Sequence, residues 1–346
     1  MTDQSKRNVD LDIVKGLLVI LMLFYHCASV TLLKPAFQEF AVTITQKLNF
    51  IAPAFLFISG LLCGIHYLPQ LKQKPNKTRR RLAIRGLKLI MIFLGSNVIF
   101  YSLISLVDFS LDKLIDFFKI YQVINLFYGF LPGDFFAYTI LYYIGFLLLS
   151  TSFLLGRINF IYPLSIIFII NYLPISVIWG LTYGFIGVLT GSLWGNNKLT
   201  YSWYFFNKLR GIPLILLFFT YLLFFQGFHW PFESHIVFIR TFAYCFKGFV
   251  WLLSLYFMLS ILNIKSLTNA IILFGQYTLL SYMAQMIIIR INFIILSEFV
   301  KSFYYIYFIN ILISFIILYA LVFLIDYFQK QNAIIIFNKT YKIIFN

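Results

Sequence analysis

Apolar residues fill the chain in blocks of about twenty, broken by short polar or basic segments, and a helix needs a block of that length to cross the hydrocarbon of a bilayer. The blocks predict about ten transmembrane helices, near residues 12–33, 47–67, 83–107, 136–155, 158–173, 175–195, 211–228, 236–262, 269–296 and 302–327. The fifth and sixth are joined by a turn around Asn171 and Pro174. The expected fold is therefore all-α, a polytopic membrane bundle forming one domain over residues 1–330. Residues 331–346 are expected as a short surface tail on the cytoplasmic side. Between the third and fourth blocks, residues 110–132 show a different period. Leu111, Leu114, Ile115 and Phe118 recur at helical spacing while Asp112, Asp116 and Lys119 take the opposite side. This pattern predicts an amphipathic helix on the outer surface, serving either as a cover for a pocket or as a plain connector.

Composition agrees with this pattern. Of 346 residues, 62% are hydrophobic and only 11% charged, and so few charges cannot screen that much apolar surface in water. The net charge of +16 does not indicate nucleic-acid binding, because the pattern offers no folded soluble surface to carry a basic patch. The Lys and Arg residues instead sort by loop. With the N-terminus inside, seventeen fall in inner segments and five in outer ones, a positive-inside division that needs an even number of spans. Both termini are then cytoplasmic, as expected for a protein of a bacterial inner membrane. The first block is too long for a signal-peptide core and lacks a small-residue cleavage site, so it is expected to remain as a helix. Cys27, Cys63 and Cys245 lie in apolar runs, and no Cys or His spacing suits a metal.

Ionisable residues inside an apolar span cost a few kcal/mol and mark candidate chemistry. Asp12, Lys15 and His26 share the first span. Lys15 and His26 are eleven residues apart, about 20° off register after three turns and about 16 Å along the axis. Asp12 falls within about 40° of the same stripe. Two readings fit: a polar seam leading to an imidazole that acts as general base, or a histidine hydrogen-bonded to a neighbouring helix for packing. In the run entering the third span, Arg81, Arg85 and Lys88 fall on one helical face. That face suits either the phosphates of an anionic ligand or lipid headgroups. Arg240, Lys247 and Arg290 lie within later spans and are expected to point into the bundle, Arg240 near its outer end. Ser59 is a polar residue in an apolar helix, set either for substrate or for close packing beside Gly60.

Several of these residues fall into longer motifs. Leu11-Asp12-Ile13-Val14-Lys15-Gly16 is followed, ten residues after the lysine, by His26. Phe55-Leu56-Phe57-Ile58-Ser59-Gly60-Leu61-Leu62 precedes the basic stretch with Arg81 and Arg85, and Gly275, Thr278, Leu279 and Tyr282 form a C-terminal pattern. In these motifs the chain resembles the acyltransferase family 3 membrane proteins, specifically over residues 10–95. It departs from them in carrying lysine at Lys15 and glutamine at Gln285, where many members carry arginine and histidine. The resemblance implies transfer of an acyl group, most simply acetyl, from cytoplasmic acetyl-CoA or another acyl-CoA to a hydroxyl of a cell-surface glycan or lipid-linked sugar. It implies catalytic roles for His26, Lys15 and Asp12, donor binding by Arg81, Arg85 and Lys88, and substrate contacts from Ser59 and Arg240. No metal and no nucleic acid enter this scheme. The alternative is a transporter or flippase for an anionic lipid or lipid-linked sugar, although no repeated halves with broken helices are visible in the sequence.

Overall fold

The computed structural model describes residues 9–31, 38–107, 139–154, 176–195, 264–300 and 302–330, together with Gly248, Trp251 and Leu255. Among the described residues every regular element is a helix. In chain order these are α1 (Val9–Thr31), α2 (Gln38–Lys47), α3 (Ile51–Gln73), α4 (Pro75–Val107), α5 (Thr139–Leu154), α6 (Ser176–Gly195), α7 (Lys265–Gln276), α8 (Thr278–Phe299) and α9 (Phe303–Lys330). Five stretches are long and apolar enough to cross a membrane: Leu11–Thr31, Gln38–Leu71, Pro75–Phe100, Thr278–Phe299 and Tyr304–Lys330. The predicted spans 158–173 and 211–228, all of 236–262 but Gly248, Trp251 and Leu255, the amphipathic segment 110–132, the tail 331–346 and the sites Arg240 and Lys247 lie outside the described residues.

The helices gather into two compact units. One draws on the described residues of Ala52–Phe249. Here small residues bring backbones together, as helices do in lipid, where apolar side chains gain little by leaving the hydrocarbon. A methyl group at Gly60 would run into the carbonyl of Gly184, and one at Gly191 into that of Leu61, so α3 and α6 meet backbone to backbone. Gly86 and Gly145 bring α4 and α5 together in the same way. Pro75 starts α4, a position where its missing N–H costs nothing, so the basic run from Lys77 to Arg85 is helical.

The other unit draws on the described residues of Met1–Ile51 and Val250–Asn346. Gly16 lies against the carbonyl of Ile271 and Gly275 against that of Asp12, so α7 runs along α1 in the opposite sense. α8 and α9 form an antiparallel pair. At one end Tyr277 donates its hydroxyl to Asp326 Oδ1 and to Gln329 Oε1, each at 3.0 Å. Farther along, Asn310 Nδ2 donates to the Ile289 carbonyl at 3.3 Å and Asn292 Nδ2 to Ser314 Oγ at 3.0 Å. α1 joins them where the Tyr307 hydroxyl reaches the Phe24 carbonyl at 3.5 Å. Phe40 of α2 packs edge-on against Tyr304 and Tyr307.

The span predicted over 269–296 is corrected by the structure, which breaks it at Tyr277 (φ −108°, ψ 35°) into α7 and α8. Hydropathy sees one apolar run there. The break comes from tertiary anchoring: Gly275 is held against α1 while the Tyr277 hydroxyl is tied to α9. The span predicted over 47–67 likewise begins at the last residue of α2 and crosses a turn at Leu48–Phe50, which separates α2 from α3.

Candidate functional site

α1 buries Leu18, Met22, Leu23 and Cys27 and so carries its polar residues on a seam within the unit. Near its start Lys15 Nζ meets Asp12 Oδ1 at 2.6 Å, the i, i+3 pair that the helix repeat dictates. Asp12 is 3% exposed, whereas the Lys15 side chain keeps 19% of its surface open. A carboxylate this deep depends on its cation, and removing one partner of a buried pair costs about 3–5 kcal/mol. Lys15→Met should therefore lower the thermal midpoint of the detergent-solubilised protein by several degrees, with part of the loss recovered in the double variant Asp12→Leu/Lys15→Met. An unchanged midpoint would show that Asp12 is held by other contacts.

His26 sits about three turns farther along, so the ion pair does not touch its ring. Helical side chains lean toward the helix N-terminus, which carries the imidazole back along the seam. Its ring packs edge-on to Tyr25, with centroids 5.4 Å apart, and lies tilted against Tyr282 of α8 at 6.4 Å. The Nε2 atom is buried and has no hydrogen-bond partner. A histidine kept for packing by a cross-helix hydrogen bond would show that bond, and Nε2 makes none. The imidazole is left with a free nitrogen inside the protein, as a proton acceptor needs.

In the unit built from Ala52–Phe249, Arg81 and Arg85 converge on one side chain that sequence spacing did not indicate. Both guanidinium groups lie over the ring of Tyr67, at 5.9 and 5.7 Å from its centroid, and Arg85 also donates to the Tyr67 hydroxyl. Two adjacent α4 turns are thus fixed against α3, with Arg81 exposed and Arg85 half-buried. Lys88, half-buried, follows on the same helix. Ser59 Oγ donates to the Phe55 carbonyl of its own helix at 2.8 Å, which commits its proton locally beside the tightly packed Gly60.

The structure thus pairs Asp12 with Lys15 and joins Arg81 to Arg85 through Tyr67. Arg290 lies half-buried on α8. The described residues hold no group of His, Cys, Asp and Glu suited to a metal ion. Tyr67 is a residue that reading the sequence missed, since a tyrosine does not stand out in an aromatic-rich chain.

A helical chain with several bilayer-length spans and polar side chains sealed among them is the class these features define. The family model of the OpgC protein matches residues 7–148, which take in α1 to α4 and most of α5. No curated protein and no solved structure was found to match the chain.

Proposed function

We propose that the protein is a membrane-bound O-acyltransferase, which moves an acyl group such as acetyl or succinyl from a cytoplasmic acyl-CoA to a hydroxyl of a glucan or related cell-envelope glycan. The observation that carries this reading is the buried, unpartnered Nε2 of His26, on a helix within the stretch that resembles the OpgC protein. That family is acyltransferase-like and takes part in glucan modification. The donor thioester supplies the activated acyl carbon. His26 Nε2 takes the proton of the acceptor hydroxyl as the oxygen attacks that carbon, the C–S bond breaks, and the proton is passed on to the departing thiolate. The ester formed and the free thiol balance the reaction.

The Arg81 and Arg85 guanidiniums, held side by side on Tyr67, suit the phosphates of the donor, since each presents a planar fork of N–H groups. Lys88 adds a third cation on the same helix. With the N-terminus cytoplasmic, as positive-inside sorting requires, these cations face the cytosol of a bacterial inner membrane.

Purified protein supplied with an acyl-CoA and a soluble glucan should release CoA thiol only when the acceptor is present. A transporter would leave the thioester intact. In the same assay Arg85→Ala should raise the donor KM by about tenfold, roughly the loss of one charge-assisted hydrogen bond, with the acceptor KM unchanged. An unaltered donor KM would assign Arg81 and Arg85 to lipid headgroups instead.

A further inference from the structure

Three polar side chains that no hydrogen bond satisfies gather in the unit containing α1, α8 and α9. Gln285 and Ser281 are both 0% exposed, yet neither carboxamide atom of Gln285 nor Ser281 Oγ has a partner, and His26 Nε2 is buried in the same condition. Ser281 and Gln285 stand one turn apart on α8, with Tyr282, which lies against His26, between them. At 100° per residue Gln285 is about 60° round the helix from Tyr282 and about 4.5 Å farther along. It therefore occupies the side of α8 between the face that meets α1 through Tyr282 and the face that meets α9 through Asn292.

The neighbouring amide and hydroxyl groups between α8 and α9 are satisfied, whereas Arg290 Nε and Trp251 Nε1 are further buried atoms of the unit that no hydrogen bond meets. Asn310 Nδ2 donates to the Ile289 carbonyl, Ser314 Oγ to Asn310 Oδ1, and Asn292 to Ser314. An unmade hydrogen bond in a buried setting is costly, and at a position needed only for packing leucine or alanine would fill the space without that cost. Gln285, Ser281 and His26 carry no fixed charge, Lys15 is already paired with Asp12, and Arg290 of α8 is turned about 140° round the helix from Gln285. A carboxamide gives two donors and an acceptor, and a hydroxyl gives one donor with acceptor capacity. Neighbouring hydroxyls on a sugar ring present the complementary groups, each both donor and acceptor. A phosphate or carboxylate offers acceptors only and would set its charge against Gln285 Oε1 and the lone pair of His26.

We infer that Gln285 and Ser281 form the acceptor subsite, holding adjacent hydroxyls of an uncharged sugar ring so that one of them faces His26 Nε2. This rests on the acyl-transfer reading for its purpose, but binding can be measured without any donor. Full-length protein in detergent is titrated by calorimetry with a neutral β-gluco-oligosaccharide, and separately with the same oligosaccharide oxidised to carboxylates at C6.

The wild type should bind the neutral form and discriminate against the oxidised one. Gln285→Leu should bind about tenfold more weakly while unfolding at the same or a higher temperature, because a well-packed leucine removes an unsatisfied amide. Ser281→Ala should weaken binding in the same direction, and Gln285→Asn, which keeps the amide on a shorter arm, should fall between Gln285→Leu and wild type. Equal affinity in wild type and Gln285→Leu, no binding by the wild type, or preference for the oxidised sugar would each overturn the subsite. If neutral sugar binds and depends on Gln285 but no acyl transfer occurs, the transferase reading fails and the subsite stands. If transfer occurs and Gln285→Leu keeps its acceptor affinity, the subsite fails and the transferase reading stands.

Discussion

Replacing His26 with alanine should reduce acyl transfer by roughly a hundred- to ten-thousand-fold, the range that a positioned general base contributes, while the protein inserts and unfolds much as the wild type does. The structure supports both halves of that expectation. Nε2 makes no hydrogen bond, so its removal strands no buried partner, and the ring's neighbours are the aromatic faces of Tyr25 and Tyr282. The cost to stability is then limited to a small cavity. Steady-state rates with donor and acceptor both saturating, set beside a thermal unfolding curve, check the two halves together. A rate within a few-fold of wild type would remove His26 from the chemistry, and collapse of the fold without the ring would make it structural.

The largest expected effect on folding comes from Gly275→Ala. The added methyl would be driven into the backbone carbonyl of Asp12, and neither backbone can yield without parting α7 from α1. Overpacking a tight core costs about 1–3 kcal/mol when side chains give way, and a clash with backbone sits at or beyond the top of that range. The variant should be recovered from membranes in much lower yield, with a thermal midpoint several degrees down. Because Asp12 carries the contact, its pairing with Lys15 should loosen as well. A Gly275→Ala protein as stable as wild type would mean that the two helices do not meet at this point. Gly16, which meets the Ile271 carbonyl about one turn away on the same seam, predicts the same outcome by symmetry of the contact.

Much of this was legible in the sequence, and the reason is the bilayer. A span must be apolar over its whole length, so α1, α4, α5, α6 and α9 could be placed by hydropathy alone, and the i, i+3 partnership of Asp12 with Lys15 followed from the helix repeat. Hydropathy did not reveal how apolar runs divide. The break at Tyr277 rests on a glycine held by one helix and a phenol held by another, neither visible in a local window. The meeting of Arg81 and Arg85 was legible as a shared face, but Tyr67 was not, because it comes from a different helix. Gln285 stood out only as a departure from a resemblance. Its significance lies in being fully buried without a partner, which is a property of three packed helices and not of any spacing.

Under the proposed transfer an acyl group ends on a glucan hydroxyl, and the mass of the glucan reads that outcome. Purified protein is incubated with a neutral β-glucan and isotopically labelled acetyl-CoA or succinyl-CoA, and the recovered glucan is weighed by mass spectrometry. A labelled acyl increment in ester linkage, present with wild type and absent with His26→Ala, is the predicted result. A glucan of unchanged mass with either donor, or the same increment from the alanine variant, would contradict the account.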